Sequence, residues 1–295
     1  MPEPLVSRDF LERLERLTLH WQKSFPGLVG GHNRSEFAGP GQEFLDHRNF
    51  HPGDDLRSVN WRAYMRFEKF FLKMFHIEPR VPVRLLIDAS SSMDVRDSGA
   101  ITKFDYARRL AAALIYFGLV QLDSIVIQPF TSALPQPFIA TGGRHRFELA
   151  ERFLRNLTAQ GQTNFHEVAR EYLRDYPQRG LTIIVSDFLD DRDCIKPLQY
   201  LADFGHELLL VQLWTEEDRS PLAGSVELCD AESGQRLLLD VDKRAAHEYT
   251  VAFDAYTETL RRFAMRNSGR HTGICTTTPL EEALFGELML AARSA

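Results

Sequence analysis

Cysteine is scarce in this chain. Cys194, Cys229 and Cys275 are the only three in 295 residues, odd in number, far apart and without a CxxC pair. That pattern excludes a disulfide framework and a zinc ribbon, so the three read as reduced structural thiols. Positive charge is also in deficit: a formal net charge of -6 gives no global attraction to nucleic acid or to anionic lipid. Long hydrophobic runs are missing too. The uncharged run Leu110–Leu122 falls short of the ~20 residues that a spanning helix needs, and Ser124–Gly143 is broken by Pro129, Pro135 and Pro137. The opening MPEPLVSRDFLERLERL alternates charges with leucines and lacks the apolar centre of a secretory signal, so a cytoplasmic location is expected. GxSxG, GxxxxGK[ST] and HExxH are all absent, which removes the hydrolase elbow, the phosphate loop and the zincin helix.

What is present is an ordinary globular composition, 44% hydrophobic and 26% charged, without internal repeats or low-complexity tracts. From about residue 81, short apolar runs alternate with amphipathic stretches, the pattern of an α/β fold with a mostly parallel sheet covered by helices on both faces. VPVRLLID is its first strand, followed by a helix over Lys103–Gln121. A strand is expected over Ser124–Phe130, then helices over Arg144–Leu157 and His166–Tyr176. A strand over Leu181–Asp187 follows, then a helix closed by Gly205 and a strand over Glu207–Trp214. An exposed hairpin is expected near 225–241, then a helix over Lys243–Asn267, a strand over His271–Thr276 and a last helix from Pro279. Residues 1–80 have a different texture. Gly27, Gly30, Gly31, Gly39, Gly41 and the turn at Pro52-Gly53 break up long elements, so a small N-terminal subdomain of loops and short elements is expected there. The main domain is expected over 81–295.

One stretch asks for a chemical explanation. In LLIDASSSM, a buried strand ends on Asp88 and runs directly into Ser90 and Ser92. Open α/β sheets bind ligands at the carboxyl ends of their strands, where loops gather side chains. Asp187 ends a second strand, and Thr163 lies in the loop GQTNF between two helices, positioned to reach over from a third direction. These five residues offer only oxygen. That suits a hard cation, Mg²⁺ or Mn²⁺, and disfavours zinc or copper. With only two carboxylates, such a cation keeps water and an open position, and remains able to capture an acidic group from outside.

DASSS resembles the DxSxS of the metal-ion-dependent adhesion site of von Willebrand factor A domains, with Thr163 and Asp187 matching its later threonine and aspartate. The likeness is closer still to the DUF58 family. EFLDHRNFHPGDDLRSVNWRAYMR (Glu43–Arg66), the strand and metal loop after it, and SDFLDD (Ser186–Asp191) are similar to that family's hallmarks, from about Gly39 to Leu284. Asn60 stands where the family often has aspartate. The resemblance implies a von Willebrand A-type, Rossmann-like fold and a non-enzymatic, metal-dependent protein-interaction module. It further implies a protein partner that supplies an acidic residue, as an adaptor or co-factor of a MoxR-type AAA+ ATPase. The rival is a haloacid-dehalogenase-like phosphohydrolase using Asp88 as nucleophile. That chemistry needs a second carboxylate two residues on as general acid, where this chain has Ser90.

Other clusters have plainer explanations. His47 and His51 lie near Asp54 and Asp55, but the adjoining Pro52-Gly53 argues for a solvated turn rather than a second metal site. Arg57, Arg62, Arg66, Lys69 and Lys73 alternate with Trp61, Tyr64, Phe67, Phe70 and Phe71, a mixture used elsewhere to bind nucleic acid. In an acidic protein the aromatics read as core and the cations as a solvated face, so no nucleic acid is expected. Arg48, Asp54, Asp55, Arg57 and Trp61 remain candidates for contacts between segments or with a partner. Asp190, Asp191 and Asp193 read as acids at a helix start, favoured there by the dipole.

Overall fold

The structure is a computed structural model that describes residues 4–15, 38–39, 43–49, 59–67, 69–76, 83–95, 101–120, 124–141, 143–190, 192–231 and 234–288. It divides into two compact units, Pro26–Val81 and Met1–Phe25 with Pro82–Ala295. In the smaller unit β1 (Ala38–Gly39), β2 (Glu43–Asn49) and β3 (Phe71–His76) form an antiparallel sheet ordered β1-β3-β2. Between β2 and β3 lies helix α1 (Trp61–Phe67). Asn60 begins it: its side-chain oxygen accepts a hydrogen bond from the Ala63 N–H at 3.3 Å, a capping role that an aspartate would fill equally well.

The larger unit is built on a six-stranded sheet. Its strands are β4 (Val83–Asp88), β5 (Ile125–Phe130), β6 (Phe138–Ala140), β7 (Leu181–Ser186), β8 (Glu207–Trp214) and a final strand, Arg270–Cys275. Their order is final strand-β8-β7-β4-β5-β6, parallel throughout except for β6, which runs antiparallel to β5 at the edge. The central strands read as unbroken apolar runs because both faces are covered, and every residue of β7 is buried. Leu86, Ile184, Leu208 and Leu210 face three helices, α4 (Phe165–Asp175), α5 (Ile195–Asp203) and α7 (Lys243–Arg266), through Tyr172, Leu198, Leu201 and Leu260. On the opposite face α2 (Lys103–Val120) lies against β4, β5 and β8, and α3 (Phe147–Asn156) lies against α2. Gly118 lets α2 come that close: a Cβ there would sit 2.2 Å from Ile125 Cδ1.

The α/β architecture and the parallel sheet expected from the sequence are those observed, and β8 has the expected limits. Gly205 stops α5 with φ at 87°, a left-handed conformation that favours glycine. Three details differ. The edge strand β6 was not expected, because its three residues follow Pro135 and Pro137 and carry no periodicity of their own. The start of the helix expected over Arg144–Leu157 is a 3₁₀ turn at Arg144–Arg146. The last helix is a single α turn at Leu280–Glu282 running into a π-helix at Ala283–Leu288.

The hairpin pairs β9 (Gly224–Cys229) with β10 (Arg236–Val241) and is exposed along both strands. Residues 8–15, which are helical, belong to the larger unit: Phe10 and Leu14 are buried, and the Tyr116 hydroxyl donates to Glu15 at 2.9 Å. No described helix is long and apolar enough to cross a membrane.

A buried histidine makes this core sensitive to acid. His206 precedes β8 with its ring edge-on to Tyr172, 5.2 Å between centroids. Burial and, secondarily, the Arg84 charge lower its pKa to about 4. A histidine depressed in the fold stabilises it fully above the unfolded value near 6.5 and loses that contribution as pH falls towards 4. Each pH unit in that window is worth up to about 1.4 kcal/mol. Denaturant unfolding of wild type and His206→Asn should therefore diverge by about 2–3 kcal/mol between pH 7 and pH 4, with wild type losing more. Parallel pH dependence of the two would contradict this.

Candidate functional site

Chain order around β4 reverses direction in the sheet. From β4 the chain moves to β5 and β6 on one side, then returns to β7, β8 and the final strand on the other. This makes the gap beyond the carboxyl ends of β4 and β7 a topological switch point, where neighbouring loops diverge and leave a crevice. Asp88 is the last residue of β4, and Asp187 directly follows β7.

Local structure explains why the oxygens converge. After Asp88 the chain enters a 3₁₀ turn at Ser91–Asp94, and the loop between α3 and α4 crosses beside it. The two loops are joined by backbone hydrogen bonds, Gln160 N–H to Ala89 O at 2.7 Å and Ser91 N–H to Gly161 O at 2.9 Å. That joint places Thr163 so that its hydroxyl donates to Asp88 Oδ1 at 3.1 Å. The same oxygen accepts the Ser90 N–H at 3.0 Å, while Asp88 Oδ2 accepts the Ser186 hydroxyl at 2.6 Å. Ser90 Oγ and Ser92 Oγ are 3.0 Å apart. Asp88, Ser90, Ser186 and Asp187 are buried, whereas Ser92 and Thr163 are half-buried, so the cluster is lined by hydroxyls on its outer side.

The structure therefore brings Asp88, Ser90, Ser92 and Thr163 into one hydrogen-bonded group. Asp187 lies close enough that its charge raises the Asp88 pKa: burial first, and the Asp187 carboxylate second, push it up to about 6. Asp187 itself is held on both oxygens. Its Oδ1 accepts the Leu189 N–H at 3.1 Å, and its Oδ2 accepts the Lys103 ammonium at 2.8 Å. Phe188, between them in sequence, is fully buried at a φ of 56°, so the chain turns sharply straight after Asp187.

Three participants were not identified from the sequence: Lys103, Ser186 and Asp218. Lys103 is 3% exposed in its side chain and bonds both Asp187 and, at 3.1 Å, Asp218 Oδ2. Burial alone would lower its pKa, but Asp187 and Asp218 outweigh it and hold the ammonium above its ordinary range. Asp218 is fixed in turn by a capping box with Thr215 on the short helix α6 (Glu216–Arg219). The motif T-x-x-D at Thr102–Asp105 marks the start of α2, where Thr102 Oγ accepts the Asp105 N–H. Nothing in that motif says that the lysine inside it points inward.

The donor set fits a hard divalent cation. Asp88, Asp187 and Asp218 against Lys103 leave two net negative charges, and the hydroxyls of Ser90, Ser92 and Thr163 supply neutral oxygens. Among the described residues no three His, Cys, Asp or Glu side chains gather to hold a metal by themselves, so any such site depends on those hydroxyls.

The remaining candidates are dispersed. Asp193 accepts the Ile195 N–H at 3.0 Å, at the helix start as expected, whereas Asp190 lies in the loop before that helix, where it accepts the Arg192 N–H at 3.0 Å, and Asp191 lies outside the described residues. The aromatics expected as core are not buried: Trp61, Phe67 and Phe70 are exposed, with the Trp61 ring 6.2 Å from Tyr64 and 6.3 Å from Phe70, so they pack on one another at the surface of the short helix. Arg48 lies in β2 opposite Leu72, with its backbone alone described. Asp54, Asp55, Arg57 and His51 lie outside the described residues.

The family described as "Protein of unknown function DUF58" matches residues 46–259. An uncharacterized protein of Mycobacterium tuberculosis is 26% identical over 255 residues, 84% of this chain and 79% of that protein. The crystal structure of the conserved hypothetical protein BatB from Bacteroides thetaiotaomicron is similar at 16% identity and a TM-score of 0.45, covering 72% of this chain and 99% of BatB. A crystallised VWA domain is similar at 13% identity and a TM-score of 0.38, covering 69% of this chain and 93% of that domain.

Proposed function

The chain belongs to the DUF58 family, and on that premise we propose that it is a non-enzymatic protein-interaction module of von Willebrand A type that uses a divalent cation, Mg²⁺ or Mn²⁺. The observation that carries the reading is the convergence of Asp88, Ser90, Ser92 and Thr163, with Asp187 beside them, at the switch point of the sheet. Ser90, Ser92 and Thr163 would offer hydroxyl oxygens, and Asp88 and Asp187 would hold the cation directly or through water. When bound, the cation supplies an electrophilic centre that an Asp or Glu of a partner protein completes.

The chain's own residues preorganise that centre. Ser186 and the Ser90 N–H fix the Asp88 carboxylate, and the Gly161 carbonyl fixes the serine loop. The partner class we propose is a MoxR-type AAA+ ATPase in the cytoplasm, with this chain as its adaptor. The chemistry of a haloacid-dehalogenase-like phosphohydrolase finds less support, because Asp88 is buried and both its oxygens accept internal hydrogen bonds, while Ser90 occupies the general-acid position.

A pull-down from native lysate tests this, comparing wild type in Mg²⁺, wild type in EDTA and a Ser90→Ala/Ser92→Ala variant. The expected result is an AAA+ ATPase retained by wild type in Mg²⁺ and lost from the other two. Equal retention in all three would overturn the metal-dependent mechanism. Turnover of a phosphate ester in Mg²⁺ that disappears with Asp88→Asn would replace the reading with the hydrolase.

A further inference from the structure

The ion pair that the proposed metal site inherits from its own helix is unusual in placement. Lys103 is the first residue of α2, where the helix dipole disfavours a cation, and its ammonium is buried. It sits there because two carboxylates from different elements share it: Asp187 at the end of β7, at 2.8 Å, and Asp218 in the capping box after β8, at 3.1 Å. The Asp187 oxygen that takes the ammonium is one of the few anionic donors available to a divalent ion at this site. An ammonium and a divalent cation on one carboxylate repel each other, so each weakens the hold of the other.

We propose that Lys103 is a positioning residue that competes with the divalent cation for Asp187, with Asp218 as the second anchor to which the ammonium withdraws. The inference rests on the metal-dependent reading above. Its consequence concerns the partner: a lysine that draws Asp187 away leaves the cation with less charge from the protein, and so more dependent on an acidic group supplied from outside. Lys103 thereby tunes the site for capturing a partner's carboxylate rather than for storing metal. Asp218 is suited to its share, since the Thr215 N–H and its own backbone turn hold it in place at 2.9 Å while its side chain remains partly exposed.

The test is Mn²⁺ titration of the full chain followed by the EPR signal of free Mn²⁺, with wild type, Lys103→Met and Asp218→Asn, each checked for folding by circular dichroism. Lys103→Met should bind Mn²⁺ at least about tenfold more tightly than wild type, an increase that a merely structural lysine would not produce; Lys103→Arg should restore wild-type affinity. Asp218→Asn keeps the acceptor for Thr215 but gives the ammonium nowhere else to go, so it should weaken binding several-fold more than Glu216→Gln, which removes a charge from the same short helix. If Lys103→Met does not fold, that second comparison decides: equal effects of Asp218→Asn and Glu216→Gln would overturn the proposal. Wild type and Lys103→Met binding with equal affinity would overturn it while leaving the metal site standing. No binding by wild type or any variant would sink both.

Discussion

Asp88→Asn is expected to weaken divalent-metal binding by about 100-fold or more while leaving the protein folded. Three donors from three elements converge on this one carboxylate: the Ser90 N–H, the Thr163 hydroxyl and the Ser186 hydroxyl. An amide keeps one acceptor for the first two and turns a donor towards Ser186, which can rotate its own proton away. The charge is what disappears. A hundredfold loss corresponds to about 2.7 kcal/mol, a modest demand for removing one of two central carboxylates around a dication, given that outer-sphere partners alone are worth 10–100-fold.

Stability should change by no more than about 1 kcal/mol, because the lost charge-assisted hydrogen bonds are offset by relief of repulsion with Asp187 and of the desolvation penalty. Isothermal titration with Mn²⁺ and urea unfolding separate the two quantities. Retained affinity in Asp88→Asn would remove Asp88 from the metal site. Failure to fold would instead make it a structural carboxylate.

The fold was legible where burial on both faces leaves unbroken apolar runs. β4, β7 and β8 announce themselves because a strand covered on both sides has no polar face to interrupt it. β6 does not, since three residues after two prolines carry no period. The candidate site was legible in part for a similar reason. Asp88 and Asp187 each end an apolar run, and a carboxylate at the end of a buried strand is conspicuous. Thr163 was found only because its loop lies between two recognisable helices. Lys103, Ser186 and Asp218 left no such trace. A lysine in the first turn of a helix looks like a surface residue, and only the structure, with the ammonium held between Asp187 and Asp218, reveals that this turn is buried. Sequence periodicity reports which face of an element is apolar, but not which two elements bring their polar ends together. That information lies in the sheet order, where β4 and β7 become neighbours although almost a hundred residues separate Asp88 from Ser186.

The second large effect is on stability and follows from the same buried pair. Asp187→Ala should destabilise the protein by about 3 kcal/mol, towards the lower end of the 3–5 kcal/mol seen when one partner of a buried ion pair is removed. Lys103 and Asp187 are each 3% exposed, so water cannot replace the lost carboxylate beside the ammonium. Asp218 keeps the loss from being larger, since it remains 3.1 Å from the ammonium. The double variant Lys103→Met/Asp187→Leu should recover most of that loss, because two apolar groups of similar volume leave no fully buried charge unpaired, Asp218 being partly exposed and still bonded to the Thr215 N–H, and often match or exceed a buried pair in stability. Summing the single losses would predict the opposite, a variant weaker than either. Urea unfolding of wild type, both single variants and the double variant forms the cycle. A double variant as unstable as the sum of the singles would show that Lys103 and Asp187 stabilise the fold through separate contacts. Recovery would show that the pair contributes little net stability. Its presence in the core would then need a reason other than stability, and the competition between ammonium and metal for Asp187 provides one.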